Sequence, residues 1–154
     1  MPLTEADRPR LIAALARMDA DRLAAAANRF TERYPVRVTS RPTNGLAMMQ
    51  IRESVNGDAF NLGEIPLSTA TVELDLGNGQ KVEGGAHVMA DDADLAIWLA
   101  ICDAALRHNL PGAEEIQALS EAGFASLQRD QDIRSSILDR TKVRFSLLNE
   151  TESA

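Results

Sequence analysis

The hydrophobic period of this chain changes twice, from helical to strand-like and back. Apolar side chains recur every three or four residues over 7–34, alternate in twos over much of 36–89, and return to helical spacing over 91–149. Segregated runs of this kind indicate an α+β domain: helices first, an antiparallel meander next, helices last. The 154 residues suffice for one domain with its own core.

In the first block Asp7 is placed to cap a helix that tolerates Pro9 in its first turn and carries Leu11, Ile12, Leu15 and Met18. Asp19 and Asp21 favour a second start, and Leu23, Ala26, Ala27, Phe30 and Tyr34 form its apolar stripe. Pro35 ends it, because the residue before a proline leaves the helical region. In the middle block, strand-like runs are broken by Asn44-Gly45, Asn56-Gly57 and Gly77-Asn78-Gly79. The segments 36–41, 46–55, 58–63, 69–76 and 81–89 therefore predict about four or five antiparallel strands. Val72, Leu74 and Leu76 alternate with Thr71, Glu73 and Asp75, the pattern of a sheet with one wet face. Gly84-Gly85 marks a bulge or a close-packing point.

Asp91-Asp92 can cap the next helix, whose stretch Leu95–Cys102 is apolar nearly all round. Such a helix is buried on both sides, within its own domain or against another chain. Asn109-Leu110-Pro111-Gly112 stops it. The last segment carries Ile116, Leu119, Gly123 and Leu127, then a tighter row of Ile133, Ile137, Thr141, Phe145 and Leu148. That row fits either the chain's own sheet or a groove on a partner.

The net charge of −7 excludes a general nucleic-acid binder. The charge is uneven, +4 over 1–52, −9 over 53–106 and −2 over 107–154. The lone Cys102 can form no internal disulfide, no apolar run reaches membrane-spanning length, and the start is acidic, so the expected location is the cytoplasm with no membrane partner. No paired CxxC, HxxxH, phosphate loop or dinucleotide fingerprint occurs, and no metal site is expected. Three places can carry chemistry. Phe60-Asn61-Leu62-Gly63-Glu64-Ile65-Pro66 can aim an amide and a carboxylate at one point, or simply set strand register. His87 precedes Asp91, Asp92 and Asp94, a proton-shuttle pattern or a strand histidine ahead of a helix cap. Arg8, Arg10, Arg29, Arg33, Arg37 and Arg41 can clamp phosphate, although no glycine-rich loop accompanies them. Glu64 and His87 are thus the catalytic candidates of an independent small enzyme. The other readings are a subunit working inside a complex and a partner-binding scaffold or regulator.

The runs Val38-Thr39-Ser40-Arg41-Pro42, Gly45-Leu46-Ala47-Met48-Met49, Phe60-Asn61-Leu62-Gly63-Glu64 and Ser68-Thr69-Ala70-Thr71-Val72-Glu73-Leu74 resemble the PhnG family of the bacterial carbon–phosphorus lyase system. The resemblance covers most of residues 8 to 148, with the Phe-Asn-Leu-Gly-Glu run the most specific part. It implies an accessory subunit of the core complex that transfers a phosphonate onto ribose C1 of ATP with release of adenine. It further implies MgATP as co-substrate of the assembly with no cofactor held by this chain alone, and other carbon–phosphorus lyase subunits as partners. On that reading Phe60, Asn61, Gly63, Glu64, Ile133, Ile137, Phe145 and Leu148 are partner-binding residues, and a homodimer of the isolated chain stays open. The chain departs from the family pattern at Ala70 and at Met89-Ala90-Asp91-Asp92, where arginines are usual, and at Phe145-Ser146-Leu147. A phosphate-binding role for those arginines is therefore not carried over.

Overall fold

A computed structural model describes residues 8–77 and 79–142, with all their side chains except those of Arg8, Arg41 and Pro42. Two helices, α1 (Arg8–Leu15) and α2 (Ala20–Arg33), lead into β1 (Val36–Arg52), β2 (Ala59–Gly77) and β3 (Gln80–Val88). Helices α3 (Ala93–Arg107) and α4 (Ala113–Thr141) follow. The α+β class and the order of its parts are those expected. The five expected strand segments lie in three strands, in sheet order β1-β2-β3, all antiparallel. Asn44-Gly45 does not turn. Asn44 stays in the ladder opposite Ser68 and Gly45 opposite Leu67, so the first two segments run on as β1. The next two join as β2 through Pro66, which pairs with Leu46. A long partner strand on each side outweighs one local turn preference.

The helix ends obey local chemistry. The Asp19 carboxylate accepts from Arg22 N–H at 3.2 Å and opens α2, and Tyr34 in extended conformation closes it. Asp92 accepts from Leu95 N–H at 2.9 Å and opens α3. The expected Asp7 cap lies outside the described residues. Buried Ser68 ties the sheet to this cap. Its hydroxyl accepts from Asp92 N–H at 3.0 Å, and lies 2.6 Å from Ala90 C=O and 2.8 Å from the side-chain oxygen of Asn44. A hydroxyl has one proton to give, so the Ala90 carbonyl and the Asn44 amide oxygen are alternative acceptors for it.

The core is a sandwich of α3 between sheet and outer helices. Val72 and Leu74 from β2, with Val82 and Ala86 from β3, face Leu99, Ile101 and the alanines of α3. Leu23, Ala26, Ala27 and Phe30 of α2 close the far side. Of the two readings for the apolar helix, burial within the domain holds from Leu99 to Leu106. Each large apolar side chain so covered contributes about 1.5–3 kcal/mol. Two glycines permit the approach of neighbouring elements. A Cβ on Gly84 would stand 2.2 Å from Ala100 O and 2.5 Å from Ala104 N, and one on Gly123 of α4 would stand 2.1 Å from Ala14 O of α1. The expected close-packing point at Gly84 is thus the contact of β3 with α3.

The wet face carries its own pairing. Glu73 accepts from Lys81 Nζ at 2.8 Å and from Arg37 Nε at 3.3 Å. The Lys81 hydrogen bond first, then the Arg37 charge, hold its carboxyl below the ordinary 4.5. A carboxyl depressed in the folded state stabilises the fold above its unfolded pKa, and that contribution disappears as pH falls through the folded value. A carbon-detected titration should place Glu73 below 4.5. It should move upward in Lys81→Met, and an unmoved value would remove Lys81 as the cause. Gly84→Ala should lower the stability read by urea denaturation by about 1–3 kcal/mol or more, since backbone rather than a pliant side chain must yield.

Candidate functional site

β1 and β2 pair along nearly their whole length, but β3 reaches only the stretch of β2 from Ser68 to Gly77. Residues 45–52 and 59–67 therefore project past the third strand as a two-stranded arm. Its tip is closed by local bonds around the expected Asn56-Gly57 turn. The Glu53 carboxylate accepts from Val55 N–H at 2.8 Å and from Asn56 N–H, and Glu53 N–H donates to Asp58 C=O at 3.0 Å. The bonds from Val55 and Asn56 hold the Glu53 carboxyl below its usual value. Arg52 Nη1 adds a bond to Gly57 C=O at 3.1 Å.

Cross-strand partners share a face, so the register sorts the arm's side chains. Leu46, Met48 and Gln50 lie with Pro66, Glu64 and Asn61 on one face. Ala47, Met49 and Ile51 lie with Ile65, Gly63 and Phe60 on the other. The second face is apolar and the first mixes Leu46, Met48 and Pro66 with Gln50, Asn61 and Glu64; both meet solvent, with Leu46 68% exposed, Met48 54% and Phe60 45%. A sheet ribbon of this kind buries little by itself. Its edge is protected against indiscriminate pairing. Thr71 turns its N–H to Ser40 Oγ and its C=O to Thr39 Oγ1, both on β1. Alternation then points the amide position of Pro66 at the open edge, where a missing N–H breaks the row of donors.

A bulge at Leu62 lets Asn61 and Glu64 share one face, because their partners Gln50 and Met48 are two apart while they are three apart. Gly63 takes φ 150 at this irregularity. Asn61 Oδ1 lies 3.5 Å from Gln50 Nε2. The amide and the carboxylate thus share a face of the arm, where the contact Asn61 makes is with Gln50. His87 does not join them. It pairs with Thr69, five residues from Glu64 along β2, hence on the opposite face and about 17 Å away. Of the three aspartates after His87, Asp92 is the helix cap already described.

His87 lines a different feature, a groove of about 730 Å³ along the outer edge of β3, shared with Ile12, Ala16, Val88, Leu95 and Leu127. Its buried carboxylate, Asp103, accepts from Gly85 N–H at 3.0 Å and fixes that edge strand to α3. The four front arginines with described side chains do not converge. Arg10 stacks over Phe124 at 5.1 Å, Arg33 over Tyr34 at 5.5 Å, Arg29 pairs with Glu115, and Arg37 with Glu73. Arg10, Arg29 and Arg37 join elements of the fold instead. Among the described residues no three His, Cys, Asp or Glu side chains group as metal ligands. No described helix is long and apolar enough to cross a membrane.

The second exposed feature is the far end of α4. Its buried stripe of Ile116, Leu119 and Gly123 ends in half-buried Phe124 and Leu127. Beyond Asp130, which pairs with Arg17 in the turn after α1, residues 131–142 are all exposed, and Ile133 is 58% and Ile137 55% so. Over these residues the apolar row does not pack on the chain's own sheet. Phe145 and Leu148 lie outside the described residues.

Among the described residues two apolar projections stay exposed, the β1–β2 arm and the end of α4. In comparison with known families, the family described as phosphonate metabolism protein PhnG matches residues 6–149. The chain belongs to the PhnG family. A member from Rhizobium meliloti (strain 1021), alpha-D-ribose 1-methylphosphonate 5-triphosphate synthase subunit PhnG, is 30% identical over 131 residues. The alignment covers 85% of this chain and 81% of that relative. The family match spans all three blocks of the chain, including the arm and the exposed end of α4.

Burial, then the neighbouring Asp103 charge, pushes the Cys102 thiol up to about 12. A thiol held protonated under the core does not attack. Ellman's reagent should leave native protein unlabelled and titrate one thiol after unfolding in urea. Fast labelling of the folded chain would contradict the burial of α3.

Proposed function

We propose that this chain is a non-catalytic subunit of a phosphonate-degrading synthase assembly and that the β1–β2 arm is its main docking element. The observation that carries the reading is the arm's exposed apolar side chains, Leu46, Met48, Phe60 and Leu62 among them, held out by a tip that its own hydrogen bonds close. A structure that keeps such a ribbon in water gains by placing it between partner surfaces. Membership in the PhnG family and the subunit named among its relatives supply the kind of assembly. The reaction implied is displacement at ribose C1 of ATP. A phosphonate oxygen forms the new C–O bond, the bond to adenine N9 breaks, and adenine leaves with a proton. MgATP is then a co-substrate of the assembly, other subunits supply the nucleosidase chemistry, and the complex works in the cytoplasm. In this reading Phe60, Asn61, Gly63 and Glu64 contact a partner rather than substrate.

The reading is tested by reconstitution with the other subunits. The complete assembly should release adenine from MgATP and methylphosphonate, and the purified chain alone should release none. Turnover by the isolated chain, or full activity of an assembly that lacks it, would overturn the proposal. Phe60→Asp changes an exposed position, so its melting curve should match that of the parent within about 0.5 kcal/mol. The same variant should be lost from the assembly on size-exclusion chromatography. Retention in normal stoichiometry would move the docking site off the arm.

A further inference from the structure

The exposed end of α4 carries a seam of its own. Asp130, Ile133, Ile137 and Arg140 follow one another at spacings of three, four and three. At about 100° per residue these four fall within about 80° of the helix circumference, the geometry of a coiled-coil seam. The two isoleucines in the middle are exposed, and an acid and a base stand at the two ends.

This order is self-complementary. We propose that the end of α4 pairs antiparallel with the same segment of a second copy of this chain, about a two-fold axis through Ser135. In that register Ile133 lies opposite Ile137 of the second copy and Asp130 lies opposite Arg140, each contact made twice, as an isologous interface requires. Asp130 already receives Arg17, but a carboxylate has room for a second donor. The base of one arm, Arg17 with Asp130, thus meets the tip of the other. Residues 131–141 span about 16 Å of helix. The contact is therefore smaller than the roughly 800 Å² per partner of a standard interface, and the dimer is weak. The inference goes beyond the subunit reading and does not depend on it.

The test uses the full chain alone in sedimentation equilibrium up to about 1 mM, where an association of this strength is populated. The parent should be a monomer–dimer mixture, and Ile137→Asp should be monomeric with an unchanged circular-dichroism melt. Asp130→Arg and Arg140→Asp should each weaken self-association about tenfold. An equimolar mixture of the two variants should recover it, because the mixed dimer again sets a base against an acid at both end contacts. A parent that stays monomeric overturns the proposal. So does a dimer broken by Phe60→Asp and untouched by Ile137→Asp, or a mixture that associates no better than its components. None of these outcomes bears on the reconstituted activity, so the two proposals fail separately.

Discussion

The fold depends on how closely α3 lies on β3. Gly84 meets backbone atoms of Ala100 and Ala104, and no other residue fits there. That approach brings Leu99 over the sheet face carrying Val72 and Leu74, and leaves the opposite side of α3 to α2. Asp103, one residue before Ala104, reaches from the same helix to the Gly85 N–H, so the strand is held by shape at one residue and by a hydrogen bond at the next. The contact of Gly123 with Ala14 repeats the device for α1 and α4. Helices made largely of alanine can form a core only if their backbones come near, because short side chains bridge no wide gap.

The same arrangement explains why the arm is bare. β3 has 9 residues and β2 has 19, so the third strand ends while the first two continue. The chain leaves β3 at Val88 because Asp92 and Ser68 fix the start of α3 there. Covering the rest of β2 would need a longer β3, and that would pull the helix off its cap. The projection is thus a consequence of where α3 begins. Its apolar side chains are left uncovered by the chain's own elements.

Much of this is legible in the residues. Block-wise periodicity leads to the class and the order of elements, Pro35 and Asp92 to helix ends, and the clean alternation around Val72 to the one-sided sheet. Asn44-Gly45 misleads, because turn preference is local and the ladder opposite it is long. The arm's apolar surface is only partly visible. Phe60 stands out among the candidate residues, but Leu46, Met48, Met49 and Ile51 do not. The signal is there in the Leu-Ala-Met-Met-Gln-Ile run, where apolar residues occupy both parities of a strand. That pattern ordinarily means burial on two faces, and only the length mismatch of β2 and β3 shows that this chain does not supply it. The separation of Glu64 from His87 also needs the register, since it turns on an odd count between Glu64 and Thr69.

The family departures acquire a physical meaning at Ala70. Its side chain is 2% exposed on the core face of β2, opposite Ala86 of β3. An arginine in that position would bury a guanidinium under α3 without a solvated exit, which is costly unless a carboxylate comes with it. Ala70 and the close seat of α3 therefore go together: the small residue is part of what allows the helix to approach. Of the front arginines with described side chains, Arg10, Arg29 and Arg37 stack or pair between elements, and Arg33 stacks on the neighbouring Tyr34. Two apolar projections, the β1–β2 arm and the end of α4, are then left that the described part of the domain does not cover itself.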